Sequence, residues 1–349
     1  MKKVAIITVQ GYHNYGNRWQ NYAVQEVLKK YDCSADTIIA KRSGRLLAVK
    51  SAMKILCGKK TGKRFFKMKR FSKENLKERK LIFKNYKIPE NIVSRYDYFV
   101  VGSDQVWHPR MTSTERSFFF LEFAKEKQRI CLAPSFGIDS LPKEYFREYE
   151  SALNGFEKLC CREKSGVELI NEITGRQAEW LIDPTLVLSK DEWRKLFANF
   201  STKEKSYILV AFLGQLRNEE RQKICEIAKK NNLEIVDVFN ENVGLGPEEV
   251  LAYIENATLI ITDSFHFTAF SINFNKPFVV LKRKGNEYGS NMFSRLESLL
   301  TLFDLQERID CNISSDKLFT CDFGNANSIL EFERERFNQY LEKCLKISP

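Results

Sequence analysis

The fold of this chain is set by Val4-Ala-Ile-Ile-Thr-Val9, followed directly by Gln10-Gly-Tyr-His-Asn-Tyr-Gly-Asn-Arg-Trp-Gln20. A short run of mostly apolar residues is typical of a buried strand, and a loop rich in Gly and Asn is typical of a turn. From residue 20 to residue 30 the apolar side chains return at helical spacing. A strand, a loop and a helix in this order predict the first βα unit of a parallel sheet.

The same alternation of strand and helix recurs along the 349 residues. A polar stretch at 189–205 interrupts it, and the alternation then starts again. We therefore predict an α/β protein of two Rossmann-like lobes, 1–190 and 191–349, with a cleft between them. The last helix, about 328–345, is expected to cross back onto the first lobe. Further strands are predicted at 37–40, 96–101, 129–134, 159–162 and 180–183, and at 207–212, 233–238, 259–262 and 277–281.

Composition places the chain among globular proteins, because 43% of its residues are hydrophobic and 13% are aromatic. No run approaches the roughly 20 apolar residues of a membrane-spanning helix. The first apolar run breaks at Gln10 without a small-residue cleavage site, so we interpret it as a strand and the protein as cytoplasmic. The nine cysteines form no C-x-x-C pair and no Cys/His cluster. We expect neither a metal site nor a cofactor.

Positive charge is concentrated in residues 41–87, which hold eighteen Lys or Arg and two Glu. This segment carries +16 while the whole chain carries +11, so the remainder carries −5. Three interpretations stay open: a solvated helical surface, docking to anionic lipid headgroups, and binding of nucleic acid. Interleaved apolar residues such as Phe65, Phe66 and Met68 favour an amphipathic helix that lies on a membrane or over a groove. No nucleic-acid-binding motif accompanies the segment. We therefore expect peripheral contact with the inner face of the cell membrane and no nucleic acid partner.

Ligands of open α/β sheets bind beyond the carboxyl ends of the strands, so the loops there are the candidate site. Backbone donors that lead into a helix N-terminus form a candidate anion cradle. Gly and Asn are equally typical of ordinary turns. The loop after the first strand supplies Asn14, Gly16, Asn17, Arg18 and Gln20.

The loop after residues 96–101 is Gly102-Ser-Asp-Gln-Val-Trp107. Ser103, Asp104 and Gln105 carry a hydroxyl, a carboxylate and an amide, which are groups suited to binding sugar hydroxyls. Asp104 at the end of a strand is also a common helix N-cap, so both roles stay open.

A third loop brings Ser264 and His266 to the start of a predicted helix, where the helix dipole favours a bound anion. Further along the chain lie two pairs of polar residues that either join the site or form surface contacts. These pairs are Arg162 with Glu163, and Asn291 with Arg295.

The chain has three histidines, His13, His108 and His266, and each follows a predicted strand. A histidine is most often a structural residue. Because all three share this placement, we predict a functional role for at least one of them.

Together these motifs resemble those of the polysaccharide pyruvyl transferase family, over about residues 4–308. Gly-Ser-Asp-Gln-Val-Trp followed by Asp-Ser-Phe-His is a specific combination, whereas each piece alone is not. The matching residues are Asn14-Tyr-Gly16 with Gln20 and Tyr22, Gly102-Ser-Asp-Gln-Val-Trp107, Arg162-Glu-Lys-Ser165, Asp183-Pro-Thr-Leu186, Thr262-Asp-Ser-Phe-His266, and 291–300 with Arg295.

The resemblance implies a fold like that of the two-lobed GT-B glycosyltransferases, and transfer of a pyruvyl group from phosphoenolpyruvate to a sugar as a ketal. It implies an acceptor that is a precursor of a cell-surface polysaccharide, commonly assembled on a lipid diphosphate. His266 matches the donor-site histidine of the family, but the arginine of that motif is replaced by Ser264. The cation for the donor must then come from Arg295, Arg162 or Arg18.

This chemistry needs cations for the donor carboxylate and phosphate, an acid for its methylene carbon and a base for the acceptor hydroxyl. We expect His266 to be the acid and Asp104 the base, with Glu163 as an alternative base. The first lobe is expected to hold the acceptor and the second lobe the donor. Two other classes stay open: a nucleotide-sugar glycosyltransferase of the same architecture, and a basic nucleic-acid-binding protein.

Overall fold

A computed structural model describes residues 1–42, 62–83, 86, 88–202, 205–240, 243–282, 293–312 and 315–346. Asn291 and residues 43–61 of the basic segment lie outside the described residues. The helices are α1 Tyr15–Lys30, α2 Lys63–Asn75, α3 Glu90–Val93, α4 Ser113–Phe119, α5 Phe146–Asn154, α6 Lys164–Thr174, α7 Pro184–Val187, α8 Lys190–Phe197, α9 Asn218–Lys230, α10 Pro247–Asn256, α11 Phe265–Asn273, α12 Ser294–Leu302 and α13 Gly324–Leu345.

The first lobe is built on a parallel five-stranded sheet in the order β3-β2-β1-β4-β5. The apolar run that opens the sequence forms its central strand, and Val4 to Ile7 are fully buried there, as the pattern predicts. The strand order reverses between β1 and β4, which makes their carboxyl ends a topological switch point. The strands are β1 Lys2–Ile7, β2 Cys33–Arg42, β3 Glu78–Phe83, β4 Tyr98–Val101 and β5 Arg129–Cys131.

A short parallel pair, β6 Cys160–Cys161 and β7 Glu179–Trp180, lies beside this sheet. The backbone N–H of Arg162 donates to the carbonyl of Pro134 at 3.1 Å, which joins the pair to the chain that leaves β5. The sequence predicts longer strands here. They end early because the chain turns into loops that carry Arg162 and Asp183.

The second lobe repeats the design with a parallel four-stranded sheet in the order β11-β10-β8-β9. Its order reverses between β8 and β10, which gives a second switch point. Strand β10 and helix α10 have the predicted bounds, 259–262 and 247–256. Two Rossmann-like lobes of this kind confirm the predicted GT-B-like class. The strands are β8 Tyr207–Ala211, β9 Glu234–Asp237, β10 Leu259–Thr262 and β11 Phe278–Val280.

The described part of the basic segment is not a single surface helix. Helix α2 buries Met68 and Phe71 against the first lobe, and residues 78–83 form the edge strand β3. Charged side chains are common on edge strands because they discourage pairing with another sheet, and this is why the charged pattern concealed the strand. No helix in the described ranges is long and apolar enough to cross a membrane.

The two lobes touch on one side of the cleft through α1, α2 and the start of α10. Tyr15 donates its hydroxyl to the carbonyl of Leu245 at 2.7 Å, and the indole of Trp19 donates to that of Pro247 at 3.3 Å. Lys67 of α2 forms an ion pair of 2.6 Å with Glu249 of α10. Helix α2 therefore helps to hold the lobes together.

Helix α13 crosses back from the second lobe to the first, as predicted. Its Tyr340 hydroxyl donates to the carbonyl of Cys131 in β5 at 3.1 Å. Near its middle, the guanidinium of Arg334 donates to the carbonyls of Leu186 and Leu188 at 2.9 and 3.3 Å. It also donates to Oδ1 of Asn273, the last residue of α11, at 3.0 Å.

We expect Arg334→Met to lower the free energy of unfolding by roughly 2–3 kcal/mol, because three acceptors lose a charged donor. Urea unfolding checks this. The matched control, Arg221→Met, changes an exposed residue of α9 and should stay within about 0.5 kcal/mol of the starting protein. Equal losses in the two variants would contradict the bridging role of Arg334.

Candidate active site

One cavity in the cleft is lined from both switch points. The loops after β1 and β4 line it from the first lobe, and the loops after β8 and β10 line it from the second. Both parallel sheets therefore direct the carboxyl ends of their strands at the same space. The lining residues are Asn14, Asp104, Gln105, Arg162, Leu213, Asp263, Ser264, Phe265, His266, Phe293, Arg295 and Leu296.

The buried carboxylate of Asp183 connects the polar groups behind this cavity. Its Oδ2 accepts hydrogen bonds from the Ser103 hydroxyl at 2.6 Å and from Nη1 of Arg162 at 2.8 Å. Its Oδ1 accepts from the backbone N–H of Thr185 at 2.9 Å, so Asp183 also caps α7. Burial raises the pKa of this carboxyl, but His266 when protonated in acid, the charge of Arg162 and the bond from Ser103 more than offset that effect. The net shift is downward, and the group stays ionised.

Arg162 is a fully buried cation that keeps an unused donor. One nitrogen bonds Asp183, and the guanidinium lies over the ring of Phe265, with 4.6 Å between the guanidinium carbon and the ring centroid. Its Nη2 atom has no hydrogen-bond partner among the described residues. Because Arg162 also lines the cavity, this donor is available to an anionic ligand.

His266 lies in the first turn of α11, and its Nε2 atom is 3.9 Å from Oδ2 of Asp183. In the part of the chain that the structure describes, Nε2 has no hydrogen-bond partner. Burial is the largest influence on the imidazole and, with the nearby arginines, outweighs the carboxylates of Asp183 and Asp104. The pKa of His266 is lowered to about 4, so the side chain is neutral near pH 7.

The imidazole of His266 packs directly against the backbone of α1. A Cβ atom at position 16 would overlap its Nδ1, so only glycine fits there. Asn14 caps the same helix end, because its side chain accepts the N–H of Gly16 at 2.9 Å. The N-termini of α1 and α11 therefore face each other across the cleft, and both helix dipoles favour negative charge between them.

Ser264 and Arg295 occupy the second-lobe wall of the cavity. Ser264 is the N-cap residue of α11, but its hydroxyl makes no capping hydrogen bond. Arg295 lies in the first turn of α12. The family motif has an arginine at the position of Ser264. In this chain the same cavity contains an arginine from another helix, Arg295 of α12.

Asp104 presents a carboxylate oxygen without a partner. Its Oδ1 accepts the backbone N–H of Gln105 at 2.7 Å, whereas Oδ2 is buried and has no hydrogen-bond partner in the described ranges. Residues 103–107 form bends and turns, so Asp104 does not cap a helix here. The N-cap role is therefore wrong, and Asp104 lines the cavity. Gln105 also lines the cavity, and its Oε1 accepts a hydrogen bond from Arg110 at 3.2 Å.

Several predicted site residues support the cavity from behind and do not line it. Arg18 is committed to an ion pair of 2.8 Å with Glu78, and its charge is neutralised there. Glu163 is fully buried and accepts the Ser135 hydroxyl and the N–H groups of Phe136 and Gly137. The remaining members of this group are Gly16, Asn17, Gln20 and Ser103.

Gln20 and Asn17 hold the first loop in place. The amide of Gln20 donates to the Thr8 hydroxyl at 2.8 Å and to the carbonyl of Asn17 at 3.2 Å. Both residues are buried, so they position the loop that carries Asn14. Neither residue is among those that line the cavity.

The other two histidines lie outside the cavity lining. Nδ1 of His108 accepts the N–H of Arg110 at 3.0 Å. Partial burial, together with Arg110 and Arg295, lowers the pKa of His108 to about 4. The backbone carbonyl of His13 accepts a hydrogen bond from Arg64 of α2.

Asp183 is the principal residue that the sequence did not place in the site. Its motif, Asp183-Pro-Thr-Leu186, was visible as part of the family resemblance, and an Asp before Pro is a strong N-cap signal. That signal accounts for the capping hydrogen bond to Oδ1. It does not account for the hydrogen bonds that Oδ2 accepts from Ser103 and Arg162. No group of three His, Cys, Asp or Glu side chains is arranged to hold a metal ion within the described residues.

The fold and the cavity thus define a two-lobed α/β protein with a polar, cation-lined cleft. The sequence profile of the polysaccharide pyruvyl transferase family matches residues 14–285, and the chain belongs to that family. Membership places the chain among the transferases. No curated protein sequence matches the chain significantly.

Solved structures that resemble this one are distant in sequence. Arabidopsis thaliana UGT89C1 in complex with UDP is 12% identical, with a TM-score of 0.48 and 99% of each chain covered. UDP-GlcNAc 2-epimerase from Methanocaldococcus jannaschii is 14% identical, with a TM-score of 0.45, over 95% of this chain and 99% of that one. ADP-heptose LPS heptosyltransferase II of E. coli is 11% identical, with a TM-score of 0.39 and 98% of each chain covered.

The low pKa of His266 makes the stability of the protein depend on pH. Between 6.5, the usual pKa of histidine, and about 4, the unfolded chain binds a proton that the folded chain does not. The contribution of His266 to the free energy of unfolding is therefore fully present above pH 6.5. It is lost as the pH falls to about 4, which lowers the stability by about 3 kcal/mol. Urea unfolding across this range should show the loss, and His266→Gln should remove that part of it. An unchanged pH dependence in the variant would show that His266 is not held neutral by the fold.

We expect Gly16→Ala to displace the imidazole of His266, because the added methyl group would occupy its place. NMR of the imidazole carbons of the three histidines should show altered His266 resonances and a pKa nearer to the usual value. Gly62→Ala is the control, because a Cβ atom at position 62 has nothing within 4 Å. His266 resonances that do not change in Gly16→Ala would refute this contact.

Proposed function

We propose that the protein transfers a pyruvyl group from phosphoenolpyruvate to two hydroxyls of a sugar in a cell-surface polysaccharide precursor, forming a ketal and releasing phosphate. The observation that carries the proposal is the composition of the cavity onto which both switch points open. It combines two arginines, a helix N-terminus, and two ionisable groups with unpartnered atoms, His266 and Asp104.

The donor brings a carboxylate and a phosphate, which need at least one or two cations. Arg162 supplies the unused Nη2 donor, and Arg295 supplies a second guanidinium from the opposite wall. The Ser264 hydroxyl and the first N–H groups of α11 add neutral donors at the same wall. This set replaces the family arginine that is Ser264 in this chain, and Arg18 takes no part because it is paired with Glu78.

Proton transfer to the donor begins at His266. Its pKa of about 4 leaves it neutral in the free protein, so it cannot act as an acid there near pH 7. An anionic donor bound beside the imidazole would raise that pKa, because a nearby negative charge favours the protonated ring. Donor binding is then coupled to proton uptake, and the protonated imidazole delivers its proton to the methylene carbon. The expected acid role of His266 thus depends on the bound donor.

The first acceptor hydroxyl attacks the central carbon as its proton passes to Oδ2 of Asp104, which has no hydrogen-bond partner among the described residues. A second hydroxyl of the same sugar then displaces phosphate at that carbon. The two acceptor hydroxyls release two protons. One restores the proton that His266 gave to the methylene carbon, and the other leaves with phosphate. The protons therefore balance with Asp104 and His266 as the acid–base pair. We assign no step to Glu163, because it is not among the residues that line the cavity: its Oε1 accepts three hydrogen bonds, and its Oε2 lies 3.8 Å from Nε of Arg162.

We place the acceptor on the first-lobe side of the cleft, where Asn14, Asp104 and Gln105 offer polar atoms to a sugar. The second lobe, with Ser264 and Arg295, is then the donor side. The acceptor is a lipid-linked sugar or oligosaccharide in this proposal. The proposal keeps the predicted boundary between the two lobes at residue 190.

A thermal-shift comparison of phosphoenolpyruvate with nucleotide sugars tests the proposal. Phosphoenolpyruvate at about 100 times its dissociation constant should stabilise the protein by ~2.7 kcal/mol, and UDP- and GDP-sugars should not. Arg295→Gln should weaken the shift, whereas Arg147→Gln, an exposed change on α5, should not. His266→Gln should abolish phosphate release while the fold is retained. Stabilisation by a nucleotide sugar and none by phosphoenolpyruvate would point to a glycosyltransferase and end this proposal.

A further inference from the structure

The outward face of α2 combines lysines with an exposed aromatic ring. Phe66, Lys69, Arg70 and Lys73 follow one another at i, i+3, i+4 and i+7, so they share one face of the helix. Phe66 is 61% exposed, and the three cations are exposed as well. The opposite face buries Met68 and Phe71 in the lobe, so the helix is anchored with this face turned to solvent.

Most of the positive charge on this face is not neutralised by any residue that the structure describes. Lys69 and Lys73 have no acid within ion-pair distance among the described residues, and Lys80 of β3, which lines the same shallow groove, has none either. Arg70 is shared between Glu74 at 3.7 Å and Glu248 at 3.3 Å. The other acid of the groove, Glu78, is paired with Arg18.

The face and the candidate active site share one loop. Tyr12 lines the groove, and Phe65 of α2 packs edge-on against it with 5.4 Å between ring centroids. Tyr12 and Asn14 belong to one loop, and Asn14 lines the catalytic cavity. Arg64 holds the same loop through the carbonyl of His13. A surface bound to this face would therefore lie next to the loop that carries Asn14 of the cavity lining.

We propose that the α2 face, Phe66, Lys69, Arg70 and Lys73 with Lys80, docks the protein onto an anionic membrane surface. Unpaired lysines attract acidic headgroups, and the ring of Phe66 enters the interfacial region between them. A bare cationic patch would suit nucleic acid or soluble phosphate as well. The ring of Phe66 favours the membrane, because it touches Phe65 only edge-on, with 5.8 Å between ring centroids, and protrudes with 61% of its surface exposed.

Vesicle co-sedimentation with the full chain tests this proposal. Vesicles with acidic phosphatidylglycerol should bind the protein, and pure phosphatidylcholine vesicles should not. Each basic residue at an anionic surface is worth about fivefold in binding, so Lys69→Gln/Lys73→Gln should weaken binding about 25-fold. The matched control, Lys223→Gln/Lys229→Gln, makes the same charge change at exposed positions of α9 and should have a much smaller effect. Phe66→Ser should remove the part of the binding that persists at high salt.

The rest of the basic segment is present in every variant, so the ratio between variants reports on the α2 face alone. Equal loss in the two double variants would overturn the proposal in favour of net charge. Displacement by inorganic pyrophosphate beyond that by sodium chloride of matched ionic strength would assign the face to soluble phosphate instead. Tighter binding to duplex DNA than to acidic vesicles would assign it to nucleic acid. Because no donor or turnover is involved, the result is independent of the proposed reaction.

Discussion

The site depends on one buried ion pair, that of Arg162 with Asp183, because a guanidinium without a carboxylate could not be held in the interior. Asp183 also binds Ser103 from the loop after β4, and it lies beside His266 of the second lobe. One carboxylate therefore fixes the ends of three strands of the first lobe and the electrostatic environment of a residue of the second. Replacing it would remove the carboxylate that is hydrogen-bonded to Arg162 and leave the buried cation with Glu163, 3.8 Å away, which is more costly than the loss of a surface pair.

The cavity exists because two parallel sheets place their switch points opposite each other. Each sheet supplies loops and a helix N-terminus, and neither lobe holds the full set of groups. The first lobe contributes Asp104 and Arg162, whereas the second contributes His266 and Arg295. Contacts far from the cavity, such as those of α13 and α2, therefore matter to the site, because they fix how the two half-sites meet.

Sequence patterns were sufficient for the sheet cores and for the loops that line the cavity. Apolar runs such as residues 259–262 predict strands that are buried on both faces. Polar residues directly after these runs predict the loops that line the cavity. Strand β3 was missed because its charged residues do not alternate as a buried strand does, and Arg18 was then assigned to ligand binding because its partner Glu78 lies in that strand. Asp183 was missed for a related reason: its partners come from loops distant in sequence, and only the fold brings them together.

The contact of His266 with Gly16 has a consequence for motion between the lobes. The imidazole is buried because the backbone of the first lobe packs against it, and that cover is lost if the lobes part. Water would then reach the ring, and its affinity for protons would rise toward that of an exposed histidine. The protonation of a single side chain is thus tied to domain closure, so the cleft is easier to open in acid than at neutral pH.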